Sequence, residues 1–165
     1  MNSKLGLTGT VALLLVSLAG SAVADPSVQR SCSAKTQATY GFQCHGWATV
    51  GPAGLEPATF GGSVTGSNSG VFEGIGYLNT SLGRLKQHFI GQALFTDRAC
   101  TGNISYRVWL VLPDGSDGPE LPPLYVDFTT VKNGDEILGV PSNPTPGASG
   151  AAVPRLNCRL VKVKD

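Results

Sequence analysis

Alternation of apolar and polar side chains with a period of two runs through most of the chain after residue 24. In the clearest stretch, Tyr40 and Phe42 share one face while Gln43 lies on the other. This period is typical of a half-buried β-strand, because successive side chains point to opposite faces. Helical periodicity is hard to find in the same region. The predicted strands are residues 39–50, 71–81, 85–96, 104–112, 124–131, 136–140 and 155–163.

Turn signals separate these segments. The strongest is Asn133-Gly134, because this pair tolerates the two positive φ angles of a type I′ hairpin turn. A Pro-rich connection over residues 113–123 and a Pro/Gly/Ser loop over residues 141–150 are the two long loops. Seven or eight short strands with such turns predict an all-β fold. We expect a single antiparallel up-and-down β-barrel, with a β-sandwich as the alternative.

The N-terminal 24 residues have the three parts of a cleavable signal peptide, namely a basic start at Lys4, an apolar run, and the small residues Ala22-Val23-Ala24. The apolar run is shorter than the roughly 20 residues of a spanning helix. Ser21 stands where a lipid-anchored protein would carry a cysteine. We therefore expect cleavage after Ala24 and a soluble domain over residues 25–165, either secreted or periplasmic.

Charge excludes two classes of partner. The chain has 12 Lys and Arg and 11 Asp and Glu, and loss of Lys4 with the signal peptide leaves a formal charge of zero. The charges are scattered, so the basic patch of a nucleic-acid-binding protein is absent from the sequence. An amphipathic helix for a membrane surface is equally hard to find. We expect no nucleic-acid partner and no membrane insertion after cleavage, and the sequence leaves the oligomeric state open.

Four cysteines remain after residue 24, at Cys32, Cys44, Cys100 and Cys158. An even number of cysteines in an exported chain predicts disulfides. Their separations of 12, 56 and 58 residues do not match the closely spaced pairs of zinc sites. We therefore predict two disulfides, no metal site and no cofactor.

Strand faces favour one of the three pairings. Cys44 lies on the apolar face of the first strand, and Cys158 lies on the apolar face of the last. The first and last strands of an up-and-down barrel are neighbours, because closure removes both edges. A bond between Cys44 and Cys158 would lock that seam and leave Cys32 to pair with Cys100.

Four segments of the chain resemble small secreted bacterial proteins with a lipocalin- or avidin-like barrel. The resemblance implies a fold rather than an activity, and it carries over no functional residue. The chain differs from true lipocalins in lacking a G-x-W opening, since its first tryptophan, Trp47, is in mid-strand. The segments are Thr39-Tyr40-Gly41-Phe42, Val71-Phe72-Glu73-Gly74-Ile75-Gly76-Tyr77, Ala99-Cys100-Thr101-Gly102-Asn103-Ile104 and Val131-Lys132-Asn133-Gly134-Asp135-Glu136-Ile137.

Catalytic constellations are not evident. His45 and His88 are isolated on strands, where a histidine is more often a surface residue than a base. Glu73 and Asp127 could form a carboxylate pair only if the barrel brought them together, and no spacing requires it. Residues 66–70 fail the register of a nucleophile elbow. We therefore do not expect an enzyme.

Aromatic side chains on several strands suggest a binding function. Either they fill the barrel or they leave an apolar pocket, and an eight-stranded barrel permits both. We expect a binding protein for a small apolar ligand, with Tyr40, Phe42, Tyr77 and Trp109 lining the pocket. The alternative is an interaction module, such as a periplasmic enzyme inhibitor or a cell-surface component, that binds a protein partner through the two long loops.

Overall fold

The computed structural model describes residues 25–49, 55–142 and 155–163. The predicted signal peptide (residues 1–24) and residues 143–150 of the predicted loop lie outside them. The elements are α1 (Pro26–Lys35), β1 (Ala38–Thr49), β2 (Leu55–Gly66), β3 (Val71–Thr80), β4 (Gly83–Phe95), β5 (Thr101–Val111), β6 (Asp117–Val131), a 3₁₀ turn (Lys132–Gly134), β7 (Glu136–Ser142) and β8 (Arg155–Lys162).

The eight strands form one closed barrel in chain order, with every neighbouring pair antiparallel. Closure comes from the pairing of β1 with β8, from Tyr40 opposite Lys162 to Trp47 opposite Arg155. The predicted up-and-down barrel is therefore confirmed, and the sandwich alternative is wrong. Closure matters because it leaves no unpaired strand edge at which further chains could add.

The period-two pattern separates an inner from an outer face. On β1, Tyr40 and Cys44 are buried, whereas Gln43, His45 and Trp47 are exposed. Inward-facing apolar side chains of the strands form a large core cluster that includes Tyr40 and a smaller one that includes Cys44, and Phe42 and Phe60 pack against both. An eight-stranded barrel is just wide enough for such side chains to fill it or to leave room for one small ligand.

A ten-residue helix, α1, precedes the barrel, although the sequence showed no helical periodicity there. Its start carries two ordinary helix signals. A side-chain oxygen of Asp25 accepts a hydrogen bond from the Ser27 backbone N–H at 2.8 Å, and Pro26 occupies the first helical position. No element was predicted for this segment, because one short helix shows little periodicity.

Helix α1 closes one end of the barrel, which we call the helix end. Val28 and Cys32 are buried in the core. The Gln29 side chain donates a hydrogen bond to the Ala93 carbonyl at 2.8 Å and accepts one from the Phe95 N–H at 3.0 Å. These two bonds satisfy backbone groups at the end of β4, so the helix substitutes there for a further strand partner.

Strand β2 was missed because its sequence is poor in strand-forming residues. Pro57 lies near its start, and the Gly61-Gly62 pair in its middle is typical of a turn. The structure gives Gly62 another role, since a Cβ there would lie 2.1 Å from the Ile75 carbonyl oxygen of β3. Glycine in a strand interior often marks such a close approach of another backbone.

Two predicted connections differ from the observed ones. Residues 117–123 of the Pro-rich connection belong to β6, which pairs with β5 through two register shifts that accommodate the prolines. The predicted two-residue turn is a four-residue loop, because β6 ends at Val131 and β7 begins at Glu136. Positive φ angles fall on Lys132, Asn133 and Gly134.

Both predicted disulfides are confirmed. Cys44 and Cys158 are directly opposite each other in the β1–β8 register, with 4.0 Å between their Cα atoms. Cys32 of α1 is bonded to Cys100 in the β4–β5 turn. One bond therefore crosses the seam of the barrel, and the other fastens the helix to the end that it closes.

Candidate functional site

An apolar cavity of about 90 Å³ lies inside the barrel. Every strand contributes to its wall, so the cavity exists only when the barrel is closed. The lining residues are Phe42, Cys44, Phe60, Val64, Phe72, Gln87, Phe89, Ile104, Tyr106, Val108, Leu124, Val126, Phe128, Ile137, Gly139, Pro141, Leu156, Cys158 and Leu160.

The size of the cavity restricts what it can hold. A water molecule needs roughly 10 to 15 Å³ of such space, and a dry apolar cavity of about 150 Å³ holds benzene. The barrel cavity of about 90 Å³ lies between these limits. It therefore has room for a few heavy atoms, such as a short alkyl chain or the end of a larger molecule, and more only if side chains move.

One wall of the cavity is aromatic. The ring centroids of Phe42 and Phe60 lie 5.0 Å apart, and Phe89 lies 5.7 Å and 5.9 Å from them. Tyr106 continues the cluster at 5.4 Å from Phe89 with its ring edge-on. Gly76 of β3 makes room for these rings, since a Cβ there would lie 2.5 Å from the Phe60 ring. Tilted and edge-on aromatic pairs of this kind hold one another in place.

A second part of the cavity wall is mainly aliphatic and includes the seam disulfide. Leu124, Val126 and Ile137 come from β6 and β7, and the bond between Cys44 and Cys158 joins the wall on β1 and β8. A covalent bond across two strands keeps this side from spreading. The cavity is therefore bounded by a rigid wall where the barrel closes.

Among the described residues, two polar side chains line the cavity. They are Gln87, which is buried, and Tyr106. Burial raises the pKa of the Tyr106 phenol, so this group stays protonated and neutral across the physiological range. No charged side chain lines the cavity within the described parts of the chain. The site therefore offers apolar contact and neutral hydrogen-bonding groups.

Of the four predicted pocket residues, only Phe42 lines the cavity. Tyr40 is fully buried nearer the helix end, where its hydroxyl donates a hydrogen bond to the Gly134 carbonyl at 2.8 Å. Burial, helped by the charge of Asp135, raises the pKa of Tyr40 to about 12. Tyr40 is thus a packing residue that fastens β1 to the β6–β7 loop.

Tyr77 and Trp109 face outward, which corrects their predicted place in the pocket. Tyr77 carries the Arg84 guanidinium over its ring at 3.8 Å, and Trp109 carries that of Arg107 at 4.8 Å. The alternation of side chains along β5 could have shown this, because Ile104, Tyr106 and Val108 point inward and Trp109 therefore points outward. The same alternation could have identified the lining residues that were not predicted, since they lie on the inward face of each strand.

Neither histidine faces the cavity. His45 is exposed on β1, and His88 lies on the outer face of β4 between two carboxylates. His88 Nδ1 lies 2.9 Å from Asp117 and Nε2 lies 3.3 Å from Glu73, with the Trp109 ring stacked at 5.5 Å. No group of three His, Cys, Asp or Glu side chains suited to a metal ion occurs in the described residues. Glu73 and Asp127 also lie on the outer face, with two strands, β4 and β5, between them.

We expect His88 to make stability depend on pH. Partial burial lowers its pKa, but hydrogen bonds and charges from Asp117 and Glu73 outweigh this effect, so the pKa of His88 is raised above 6.5. The stabilisation is therefore complete below the ordinary histidine pKa and is lost as pH rises through the raised value. His88→Gln should lower the free energy of unfolding in urea by up to about 1 kcal/mol at pH 5.5 and by less at pH 8.5.

The matched control for this prediction is His45→Gln, which removes an exposed histidine on β1. Its loss of stability should be small in the same urea measurements. If His88→Gln had the same effect at both pH values, the two carboxylates would not be stabilising the charged imidazolium.

Comparison of the chain with models of known protein families, with curated proteins and with solved structures found no match in any of the three. No helix among residues 25–49, 55–142 and 155–163 is long and apolar enough to cross a membrane.

Proposed function

We propose that this protein is an exported, non-enzymatic binding protein that holds one small apolar ligand in the cavity of its barrel. The observation that carries the proposal is an apolar cavity of about 90 Å³ lined from all eight strands and containing no charged side chain within the described residues. Ligand sites are typically concave and mostly apolar, with a few polar groups that orient the ligand. The barrel cavity has each of these properties.

The cost of the cavity supports the proposal. Unfilled volume in an enclosed core costs about 24 cal/mol per Å³, so about 2 kcal/mol is the upper bound for this partly open cavity. Small barrels ordinarily avoid this cost by filling their interior with side chains. A ligand that occupies the space would recover part of it as affinity, and a preformed cavity keeps the cost of ordering the protein small.

The proposed site of action is the periplasm or the exterior of the cell. The two disulfides are typical of proteins that fold in an oxidising compartment. The predicted signal peptide would deliver the chain there. The resemblance to lipocalin- and avidin-like secreted barrels agrees with this proposal and stays a prediction.

The alternative proposal, a loop-mediated interaction module, has less support. One of its two loops shortens to residues 112–116, because residues 117–123 are part of β6. Of the other loop, residues 143–150 lie outside the described residues. No contact or charge pattern in the described chain favours a protein partner over a ligand in the cavity.

Filling the cavity tests the proposal. Val108 lines the cavity and is buried, so the larger side chain of Val108→Phe would occupy the space. In the wild type, short alcohols should produce saturable ¹³C methyl shifts at Ile104 and Leu124. In Val108→Phe these shifts should fall at least tenfold at the same ligand concentration, while the protein stays folded because the ring fills a void.

The matched control is Val161→Phe, which makes the same substitution at a side chain 46% exposed on the outer face of β8. Its binding should equal that of the wild type. Equal loss in both variants would show that the shifts do not report the cavity. Absence of saturable shifts in the wild type would refute the proposed function.

A further inference from the structure

Among the described residues, Gln87 is the only amide side chain in the cavity wall, and its position is set by strand register. It lies on β4 opposite Gly76 of β3 and Leu110 of β5. It shares the inner face with Phe89, two residues further along the strand, and it is 9% exposed. The side chain of Gln87 therefore lies in the wall of the site in which the ligand is proposed to bind.

The Gln87 amide has hydrogen-bonding groups that the barrel leaves free. Glutamine carries two N–H donors and a carbonyl acceptor. Among the described residues, no hydrogen bond joins this amide to a side chain or backbone group, and the amide is not one of the fully enclosed polar groups that lack a partner, so it borders open space. In a wall that is otherwise mostly apolar, it is a hydrogen-bonding group that a molecule in the cavity can reach.

The charge of the wall restricts that partner. A carboxylate or an amine taken into this cavity would lose its hydration and meet no opposite charge among the described lining residues. A neutral hydroxyl, carbonyl or amide would instead pair with Gln87 while its apolar part contacts Phe89 and the aliphatic wall. The neutral Tyr106 phenol is compatible with the same class of ligand.

We propose that Gln87 makes the cavity selective for neutral, mostly apolar molecules that carry one hydrogen-bonding group, such as short alcohols, ketones or amides. This inference rests on the proposed function and assigns the ligand class of the same site. Gln87 is the specificity-determining residue, because a site built to hydrogen-bond a polar group discriminates against analogues that lack it. Pure hydrocarbons would leave its amide unpaired, and carboxylates would leave their own charge unpaired.

Two pairs of isosteric ligands test the assignment: 1-butanol with n-pentane, and butanamide with butanoate. Each ligand is titrated into the full domain, and the ¹³C methyl shifts report its affinity. In the wild type, butanamide should bind at least tenfold more tightly than butanoate. In Gln87→Leu the ratio of butanol affinity to pentane affinity should fall about tenfold. The variant loses one hydrogen bond to butanol and no longer leaves an amide unpaired when pentane binds. Comparing ratios cancels the different hydration of the two ligands in water.

Gln43→Leu is the matched control, since Gln43 is exposed on the outer face of β1, and its ratios should equal those of the wild type. Gln87→Met provides a second variant in case Gln87→Leu does not fold. If all four ligands bind and the butanol-to-pentane affinity ratio is the same in the residue 87 variants as in the wild type, the role of Gln87 is refuted and the proposed function survives. If none of the four binds the wild type, both proposals are refuted.

Discussion

Replacing Cys44 and Cys158 together with alanine should lower the free energy of unfolding by roughly 4 to 5 kcal/mol. The disulfide closes a loop between residues 114 positions apart, and a loop of about 100 residues is worth about 4.7 kcal/mol in the chain-entropy account. The bond also crosses the seam where β1 and β8 complete the barrel. Urea denaturation of the oxidised wild type and the double variant measures the loss.

The control is the double variant Cys32→Ala with Cys100→Ala, which removes a bond between residues 68 positions apart. Chain entropy predicts a loss smaller by only about 0.5 kcal/mol, so the total alone does not separate the two bonds. Amide hydrogen exchange does separate them, because protection should fall first in β1 and β8 without the seam bond and first in α1 without the helix bond. A loss below 1 kcal/mol for the seam pair would show that the β1–β8 ladder closes the barrel unaided.

Gly62→Ala should destabilise the barrel by about 3 kcal/mol or more, above the usual range for overpacking. A Cβ at this position would lie 2.1 Å from the Ile75 carbonyl oxygen and 2.6 Å from the Gly76 Cα. Both atoms belong to the backbone of β3, which cannot move aside without breaking its pairing with β2. Thermal and urea denaturation should both show the loss.

Gly41→Ala makes the same chemical change one strand away and is the control. A Cβ at Gly41 would meet nothing within 4 Å, so the substitution adds no clash. Its stability should equal or slightly exceed that of the wild type, because alanine reduces the freedom of the unfolded chain. Equal losses at Gly41 and Gly62 would mean that the cost comes from strand propensity rather than from contact between β2 and β3.

Much of the barrel could be predicted because alternation is a local property. A residue such as Cys44 falls on the buried face through its position in β1, whatever the other strands do. The same alternation on the last strand predicted Cys158 as its partner. Alternation also shows that Trp109 faces outward, since it lies one position from the inward-facing Val108, and the predicted pocket did not take this into account.

Elements with weak local signals were missed for different reasons. Strand β2 contains Pro57 and a Gly-Gly pair that favour a turn when taken alone, and its pairing with β1 and β3 overrides that preference. Helix α1 is short, and packing across the barrel end stabilises it more than propensity does. In both cases the decisive contacts are with residues far away in the chain.

The sequence by itself determined the all-β class and the inward and outward faces, because each depends on the order of residues along single strands. It favoured the disulfide pairing that joins β1 to β8, because an up-and-down barrel makes the first and last strands neighbours. Only the tertiary structure decided whether the interior is filled. The cavity of about 90 Å³ is the small difference between the space that eight strands enclose and the side chains that they direct inward. That difference sums contributions from Phe42 to Leu160, so no single segment of the sequence contains it.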